Sequence, residues 1–547
     1  MLADPFDTDA REPVGQGRAT VETFTLVGIE AVSVEVQVSV DSGYPQVSLV
    51  GLPDTSVRES RERISAAFRS SGLRLPDRHV TVNLAPAELR KEGSGLDLPI
   101  ALGILLASGQ VPADALRATP VSGELALDGS VRAVRGALSM ALAAEASHRR
   151  RLILPEANLA EAVGVGDVRL VPVSSLSEIV AALNGGEPLK EVVATTAVDP
   201  STPVPEAAAR RREYVDLTRI RGQAGPRRAL EIAAAGGHNL LFVGPPGAGK
   251  SLLAQALPGI LPRLDPREAL EATVVHSVAG LLAPGARRLT ERPFRAPHHS
   301  ITGAGLVGGG AWPRPGEISL AHRGVLFLDE LPEFRGSVLD LLRQPLEEGT
   351  ISLVRAGRSV RLPCRFQLVA AMNACPCGFT GHPRRACRCT PHQVASYQGR
   401  IGGPLLDRLD LHVDAPPVTA QELMGASDER SEIASSESIS AESSATVRAR
   451  VEAARELQRA RFADREGVFC NAQMGLVDLE RHVRLAPKPH GMLHAAADRF
   501  SLSARAVHRS LRVARTIADL AESEEIEARH VIEAIGYRML DRGDRSG

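Results

Sequence analysis

The chain has 547 residues, of which 44% are hydrophobic and 24% charged, and its formal net charge is −1. Such a length allows three or four domains, and the composition is typical of a globular protein. A nearly neutral chain has no overall basic field, so any contact with nucleic acid must come from a local group of arginines.

Two classes of protein are disfavoured by the sequence. No apolar run is long enough to cross a membrane, and the N-terminus lacks the apolar segment of a signal peptide, so we expect no membrane partner. Six cysteines, four of them within fifteen residues, favour a reducing cytoplasm with a metal site over a secreted disulfide framework. The predicted location is cytoplasmic.

The first part of the chain predicts an α/β domain. Residues 1–20 are polar and predicted to be disordered. Residues 21–183 alternate between strand and helix patterns, with strands at 29–40 and 80–84 and helices at 56–71 and 98–107. Residues 184–212 hold Gly, Pro, Ala and Val without periodicity and are predicted to be a linker.

A phosphate-binding loop follows the linker. Its residues are Gly244, Pro245, Pro246, Gly247, Ala248, Gly249, Lys250 and Ser251. They fit the pattern G-x-x-x-x-G-K-S/T, in which backbone N–H groups surround a triphosphate. Lys250 is expected to reach the β- and γ-phosphates, and the Ser251 hydroxyl to bind Mg²⁺. An apolar strand before the loop and a helix after it, at 239–243 and 251–257, give the context that this motif requires.

A second apolar strand, 325–328, ends in Asp329 and Glu330. Asp329 is expected to bind the magnesium, and Glu330 to orient or deprotonate the attacking water. A chance glycine loop, or a buried strand that ends in surface acids, is the alternative for either motif alone. Together and in this order, the two motifs predict an ATPase with ATP and Mg²⁺ as cofactors.

Residues 213–420 are predicted to be the nucleotide-binding core, followed by an acidic Ser/Glu-rich loop at 421–446 and helices over 447–545. The core contains two C-x-C pairs, formed by Cys375, Cys377, Cys387 and Cys389. Four thiolates suit a structural Zn²⁺ site. Reduced free cysteines are the alternative.

Longer motifs carry a resemblance to a known family. The segments 294–300 (Phe-Arg-Ala-Pro-His-His-Ser), 307–310 and 315–334 resemble those of the magnesium-chelatase-like AAA+ ATPases. The segments 26–30, 50–54 and 82–87 narrow this resemblance to the YifB/ComM branch. It implies a Lon-protease-like α/β N-terminal domain, an AAA+ P-loop core with a doubly wound parallel sheet, and an all-α C-terminal lid.

The resemblance also implies an activity. The resemblance implies a ring-forming, usually hexameric homo-oligomer. Members of the ComM type act on DNA as helicases that migrate branches during recombination and transformation, so the resemblance also implies this activity. The same core is shared by magnesium chelatase subunits, which help to insert Mg²⁺ into a porphyrin, so this second function stays open. A Lon-like peptidase is disfavoured, because the family's serine and lysine positions fall on Gly95 and Leu138.

The resemblance implies roles for several single residues. Asn373 matches the sensor-1 position, although an Asn at a strand end can also be a simple cap. Arg408 matches the arginine finger that acts on a neighbouring subunit, the alternative being a surface ion pair with Asp410.

Two further positions concern the nucleotide. Arg505 is the predicted sensor 2, with Arg509 as the second choice. Gln223 lies in the segment that packs on the adenine.

The segments 294–318 and 351–362 are inserts of this clade. The second alternates around Ala-Gly and predicts a β-hairpin that carries Arg355, Arg358 and Arg361. In the pore of a ring these arginines would grip DNA phosphates without sequence preference. A solvated hairpin with ordinary surface arginines is the alternative.

Overall fold

The computed structural model of the chain describes residues 17–91, 93–193, 214–283, 285–310, 314–355, 358–382, 385–418, 442–465, 467–538 and 540. These residues form two compact units. The first unit holds the described residues between 17 and 193 together with Thr273–Arg288, and the second holds those of 214–272 and 289–540. Within the described ranges, no helix is long and apolar enough to cross a membrane.

The first unit is built on a four-stranded sheet of order β1-β2-β4-β3. These strands are β1 (Arg18–Val27), β2 (Glu30–Asp41), β3 (Gln46–Val50) and β4 (His79–Ala85). A short ribbon and a three-stranded sheet follow, with β5 (Glu124–Leu125), β6 (Val131–Arg132), β7 (Arg151–Pro155), β8 (Arg169–Val173) and β9 (Val192–Val193). The helices are α1 (Thr55–Ser70), α2 (Asp97–Ala107), α3 (Ala137–Ala146), α4 (Leu159–Ala162) and α5 (Leu176–Leu183).

Helix α2 lies at the centre of this unit. All of its residues are buried, because its sequence is apolar on every side after Asp97. Asp97 itself is buried at the helix start, where it binds Arg63 at 2.6 Å and accepts a hydrogen bond from the Leu125 N–H. The core around α2 therefore combines aliphatic packing with one satisfied ion pair.

Three boundaries of the first unit differ from the sequence predictions. Strand β1 begins at Arg18, inside the predicted disordered segment 1–20, because its register with β2 extends to Arg18. Strand β9 falls inside the predicted linker 184–212 and pairs with β8, so part of that linker belongs to the unit. Residues 1–16 and 194–213 lie outside the described part of the chain.

The third difference concerns Thr273–Arg288, which the sequence assigned to the nucleotide-binding core. This segment belongs to the first unit. Gly136 donates its N–H to the Ser277 carbonyl at 3.2 Å, and Gly285 donates to the Ala157 carbonyl at 3.4 Å. Backbone pairing between residues so distant in sequence leaves no local pattern from which it could be predicted.

The second unit contains a five-stranded sheet of order β11-β14-β17-β10-β18, and all its strands are parallel. The strands of this unit are β10 (Leu240–Val243), β11 (Phe294–Arg295), β12 (Gly308–Gly309), β13 (Arg314–Pro315), β14 (Val325–Leu328), β15 (Thr350–Arg355), β16 (Arg358–Pro363), β17 (Gln367–Met372) and β18 (Leu411–Asp414). The mixed α/β prediction with a parallel sheet is confirmed.

Helices surround this sheet and continue to the C-terminal end. Those before β18 are α6 (Ala224–Gly236), α7 (Lys250–Ile260), α8 (Pro266–Ala279), α9 (Gly303–Val307), α10 (Glu317–Leu320), α11 (Gly336–Asp340), α12 (Arg343–Glu348), α13 (Pro391–Gly399) and α14 (Gly403–Leu406). The part of α8 from Thr273 onwards belongs to the first unit. Those after it are α15 (Ser444–Arg461), α16 (Leu476–His482), α17 (Pro487–Arg499), α18 (Ala504–Leu520) and α19 (Ala528–Gly536). The predicted all-α C-terminal region is confirmed.

One hydrophobic core joins the sheet to the C-terminal helices. It includes Leu240 and Phe242 of β10 as well as Val451, Val513 and Ile517 of α15 and α18. The C-terminal helices are therefore part of the same compact unit as the nucleotide-binding core. Helix α15 begins at Ser444, three residues before the predicted boundary, because the Ser443 hydroxyl caps its first turn. Residues 419–441 of the acidic loop lie outside the described residues.

Candidate functional site

Three neighbouring strands of the parallel sheet end around the phosphate-binding loop. Strand β10 leads into Gly244, β14 into Asp329, and β17 into Asn373. These strands lie side by side in the order β14-β17-β10, so their carboxyl ends share one edge of the sheet. In open parallel sheets this edge is where ligands bind.

Lys250 lies at the start of α7 and its amine points back into the loop. Its Nζ donates to the carbonyls of Gly244 at 2.7 Å and Pro245 at 3.0 Å, and to Asn373 Oδ1 at 3.0 Å. Burial lowers the pKa of this amine, and the charges of Asp329 and Glu330 partly oppose that shift. A cation held in this way suits a polyphosphate.

Ser251 and Asp329 form the predicted magnesium pair. The Ser251 hydroxyl donates to Asp329 Oδ2 at 2.6 Å. A hydroxyl and a carboxylate from two elements are the oxygen ligands that Mg²⁺ takes beside phosphate oxygens. The two side chains therefore fit an Mg²⁺–ATP complex.

The loop backbone requires glycine at defined places. Gly247 and Gly249 have φ values of +79° and +83°, in the left-handed region. A Cβ on Gly244 would lie 2.1 Å from the Ala415 carbonyl oxygen, so no larger residue fits there. These constraints fix the loop in a shape that leaves N–H groups for phosphate.

Gln223 contacts the phosphate-binding loop through its side-chain amide. Its Nε2 donates to the Ala248 carbonyl at 3.0 Å and to the Pro416 carbonyl at 2.6 Å. The side chain thus joins the loop to the segment after β18. Contact with adenine is not tested by this geometry and stays a prediction.

Glu330 lies beside His299, a residue to which the sequence analysis assigned no role. The Glu330 backbone has φ +52°, an uncommon conformation for a residue with a side chain. The carboxylate is 59% exposed and its Oε2 lies 3.5 Å from His299 Nδ1. The sequence signal for this contact is the His298-His299 pair in a glycine-rich segment. Such a pair does not show which residue a histidine ring will contact in the fold.

A large cleft opens at the other edge of the same sheet. It has a volume of about 860 Å³ and is lined by ten arginines and six acidic residues. Asn239, Gly324 and Gln367 line it, and each stands at the amino end of a parallel strand. The cleft therefore lies at the edge of the sheet opposite the phosphate-binding loop. We call it the arginine cleft.

Arg408 and Arg505 both line the arginine cleft. Arg408 is mostly buried and pairs with Glu347, whereas Arg505 is exposed. The structure does not bring either residue to the phosphate-binding loop of its own chain. Their roles at a nucleotide stay predictions.

The proposed alternative pair of Arg408 with Asp410 is wrong. Asp410 binds Arg509 at 2.7 Å and His238 at 3.3 Å instead. Burial opposes the charge of Asp410, but His238 and Arg509 outweigh it and hold its pKa below the usual range. The Arg509 guanidinium therefore already forms a buried ion pair with Asp410. This pairing disfavours Arg509 as the second choice for sensor 2.

The four clustered cysteines do come together. The Sγ atoms of Cys375, Cys377 and Cys387 lie 3.4 to 3.7 Å apart, and with Cys389 all four lie within 4.8 Å. Four sulfurs at about 2.3 Å from one Zn²⁺ would lie about 3.8 Å apart. Backbone N–H groups of Arg388 and Phe379 lower the pKa of Cys377 to about 6, which favours a thiolate.

The segment from Cys375 to Cys389, which we call the cysteine knuckle, starts two residues after Asn373 and packs on the phosphate-binding loop. A Cβ on Gly378 would lie 2.5 Å from Pro246 Cδ. Gln398 of α13 donates to the Ala374 carbonyl at 2.9 Å, between Asn373 and the first cysteine. The knuckle therefore contacts the phosphate-binding loop directly.

The predicted hairpin is confirmed as β15 and β16, with Arg355 opposite Arg358. One face is buried through Ile351, Val360 and Leu362, and Arg361 on the other face is exposed and donates to Thr350 Oγ1 at 3.1 Å. The side chains of Arg355 and Arg358 lie outside the described part of the structure.

The two positions that would carry peptidase chemistry do not support it. Leu138 is fully buried in α3. A Cβ on Gly95 would lie 3.3 Å from Ser122 Oγ. A glycine and a core leucine supply neither a nucleophile nor a base.

Comparison with known proteins identifies the family. The models described as "Magnesium chelatase, subunit ChlI", "Subunit ChlI of Mg-chelatase" and "Magnesium chelatase, subunit ChlI C-terminal" match residues 216–423, 34–158 and 441–538. Competence protein ComM of Haemophilus influenzae is 43% identical, covering 96% of this chain and 98% of its own length. The chain belongs to the YifB/ComM family.

Other relatives agree with this assignment. The YifB protein of Escherichia coli is 41% identical over 95% of this chain and 97% of its own length. The magnesium-chelatase 38 kDa subunit of Rhodobacter capsulatus is 28% identical over 30% of this chain and 52% of its own length. As a member of a magnesium-chelatase-like AAA+ family, the protein is an ATPase.

Proposed function

We propose that this protein is an ATP-driven motor that acts on DNA, as a helicase or branch-migration factor in recombination or transformation. The observation that carries the proposal is the extent of similarity. A competence protein matches 96% of the chain, including the first unit, whereas a chelatase subunit matches 30%. The first unit, which the match to the competence protein includes, is a separate compact unit with its own core.

ATP hydrolysis is assigned to the residues at the carboxyl edge of the parallel sheet. Lys250 and the loop N–H groups hold the phosphates, while Ser251 and Asp329 hold Mg²⁺, which would neutralise charge on the phosphate oxygens. Glu330 accepts a proton from the attacking water, and Asn373 orients water or phosphate without adding charge. Gln223 keeps the loop in place beneath the nucleotide.

We propose that the protein works as a homo-oligomeric, hexameric ring. Arg408 and Arg505 lie at the sheet edge opposite the phosphate-binding loop. A guanidinium there can reach a γ-phosphate only on another subunit. Such a trans arginine would make hydrolysis depend on assembly, because it stabilises charge that develops in the transition state.

We propose one structural Zn²⁺ per subunit in the cysteine knuckle. The spacing of the four sulfurs fits a tetrahedral thiolate site. The described cysteines are free thiols, which agrees with a protein of the reducing cytoplasm. Because the knuckle packs on Pro246, the metal would also stabilise the phosphate-binding loop.

DNA would be held by the hairpin arginines Arg355, Arg358 and Arg361. Support comes from the hairpin itself, since it projects an exposed face that carries Arg361 next to Val354, which is 67% exposed. Arginine on such a face gives phosphate contacts that do not depend on sequence. The chain's near-zero net charge makes a local site of this kind necessary.

Magnesium chelation is the second candidate, because all three family models carry a chelatase description. One experiment separates the two functions. Purified protein with ATP is tested on forked and three-stranded DNA for strand displacement, and in parallel for Mg²⁺ insertion into protoporphyrin with a chelatase partner subunit. We expect displacement without chelation. Chelation without displacement would reject the DNA motor.

A further inference from the structure

The last turn of α13 contacts the chain at the end of β17. Gln398 donates from Nε2 to the Ala374 carbonyl at 2.9 Å. Ala374 directly follows Asn373, whose amide oxygen accepts from Lys250 Nζ at 3.0 Å. The hydrogen bond from Gln398 therefore fixes the backbone one residue beyond the side chain that contacts the phosphate-binding amine.

Tyr397, the residue before Gln398, holds the same segment from a buried position. It is 5% exposed, and its phenol oxygen accepts a hydrogen bond from the Asn373 backbone N–H. Burial, together with the charges of Glu333 and Glu330, outweighs this hydrogen bond and raises the pKa of Tyr397 to about 12. The phenol is therefore uncharged at neutral pH. Helix α13 thus contacts the backbone on both sides of the Asn373 Cα atom.

The start of α13 is also held in place. Thr390 directly follows Cys389 of the cysteine knuckle and caps the helix. Its hydroxyl accepts from the Gln393 N–H at 3.3 Å, and Gln393 Oε1 accepts from the Thr390 N–H at 2.9 Å. Because the knuckle follows Asn373 and α13 follows the knuckle, the chain returns to Asn373 with both ends of the helix fixed.

We propose that Gln398 and Tyr397 are positioning residues for ATP hydrolysis, because they hold Asn373 where its amide contacts Lys250. Their effect rests on the proposed role of Asn373 in orienting water or phosphate. An orienting group must be held within about 0.5 Å of its productive place, and the side chains that support it fix that place. Neither Gln398 nor Tyr397 is a proposed ligand of ATP. Loss of either contact should therefore slow hydrolysis and leave ATP binding almost unchanged.

The test uses full-length protein and two substitutions that change little besides the hydrogen bond. Gln398→Met keeps the length of the side chain and removes the donor, and Tyr397→Phe keeps the ring and removes the hydroxyl. We expect each variant to lower kcat about three- to tenfold, the effect of losing one hydrogen bond in the transition state. The Kd for ATP should stay within about twofold of wild type.

The chain offers a matched control for each variant. Gln110 Nε2 donates to the Arg74 carbonyl at 2.8 Å in the first unit, so Gln110→Met removes the same kind of hydrogen bond. Tyr537→Phe removes a phenol hydroxyl that lies 3.5 Å from Glu533 Oε1, just after α19. Both controls should hydrolyse ATP at the wild-type rate.

A double-variant cycle shows whether the effect passes through the Asn373 side chain. In an Asn373→Ala background, Gln398→Met and Tyr397→Phe should lower kcat no further, because no amide is left to misplace. A general loss of stability would lower kcat by the same factor in both backgrounds.

The outcomes separate the positioning from the role of Asn373 itself. If Asn373→Ala hydrolyses ATP like wild type, the proposed role of Asn373 is wrong and the positioning is wrong with it. If Asn373→Ala is slow, the role stands. The positioning is then overturned if Gln398→Met and Tyr397→Phe match wild type, if their losses persist in the Asn373→Ala background, or if ATP affinity falls as much as kcat.

Discussion

Lys250 Nζ lies 3.0 Å from Asn373 Oδ1, which connects the phosphate-binding loop to the end of β17. The two residues are 123 positions apart, and the parallel pairing of β10 with β17 brings them together. If Lys250 binds the γ-phosphate and Asn373 is the sensor, as proposed, this contact would let the amide respond to the phosphate that the amine binds. This contact is the structural basis for assigning both residues to one reaction.

The first prediction concerns the chemistry at this edge of the sheet. Lys250→Ala should abolish nucleotide binding, because the buried amine is the cation that faces the phosphates. Glu330→Gln should bind ATP normally and hydrolyse it at least about a hundredfold more slowly, since the water loses its base. Nucleotide titration and phosphate release on both variants check this. Equal hydrolysis by wild type and Glu330→Gln would remove Glu330 from the mechanism.

The second prediction concerns the arginine cleft. Arg408→Ala should bind ATP and hydrolyse it poorly, because its own phosphate site is intact while the charge that it lends to a neighbour is lost. Mixing it with Lys250→Ala, which keeps the arginine, should restore part of the ATPase rate. Arg529→Ala, an exposed arginine paired with Glu527, is the control and should resemble wild type. An active monomer in sedimentation, or no recovery on mixing, would argue against action in trans.

The third prediction concerns the cysteine knuckle. Purified protein should contain about one Zn²⁺ per subunit, and Cys387→Ser/Cys389→Ser should contain none. The variant should also bind ATP more weakly, because the knuckle packs on Pro246. Cys470→Ser removes a cysteine outside the cluster and should keep its metal. Equal metal content in wild type and the double variant would rule out the site.

The sequence predicted those parts of the fold that local patterns determine. The phosphate-binding loop, the acids after β14 and the β15–β16 hairpin were found, because each is a short motif with its own geometry. The placement of Thr273–Arg288 in the first unit was missed, since pairing of Gly136 with Ser277 depends on tertiary structure. The contact between His299 and Glu330 was missed for the same reason. The pairing of Asp410 with Arg509 shows that sequence proximity is a poor guide to ion pairs.

The fourth prediction concerns acid stability. His412 is buried in β18, and burial together with the Arg538 charge lowers its pKa to about 3. The folded protein therefore keeps the ring neutral, while the unfolded chain takes a proton below about pH 6.5. The free energy of unfolding should fall as pH drops from about 6.5 towards 3, by up to ~1.4 kcal/mol per pH unit for this group.

Urea unfolding at a series of pH values measures this slope. His412→Gln should make it shallower, because the variant has no ring to protonate on unfolding. His494→Gln, which changes an exposed histidine of α17, is measured as the control. Identical slopes in wild type and His412→Gln would show that this ring titrates alike in the folded and unfolded states.

The last prediction separates a DNA motor from a chelatase. Arg355, Arg358 and Arg361 lie on the β15–β16 hairpin, well away in sequence from every proposed phosphate ligand, so their replacement by Ala should spare basal ATPase. If they grip a DNA backbone, the triple variant should bind all DNA sequences more weakly and show a smaller salt dependence, because fewer counterions are released. DNA-stimulated hydrolysis and strand displacement should decline together.

Filter binding at several salt concentrations measures the DNA affinity and its salt dependence. ATPase and displacement assays on the same preparations measure basal hydrolysis, DNA-stimulated hydrolysis and strand displacement. Replacement of the same arginines by Lys is the matched control, since it keeps the charge and should retain most of the affinity and the salt slope. A chelatase subunit, whose substrate is held by a partner protein, has no reason to lose DNA affinity in the Ala variant and regain it in the Lys variant. Unchanged DNA binding, salt slope and displacement in the Ala variant would refute the hairpin grip.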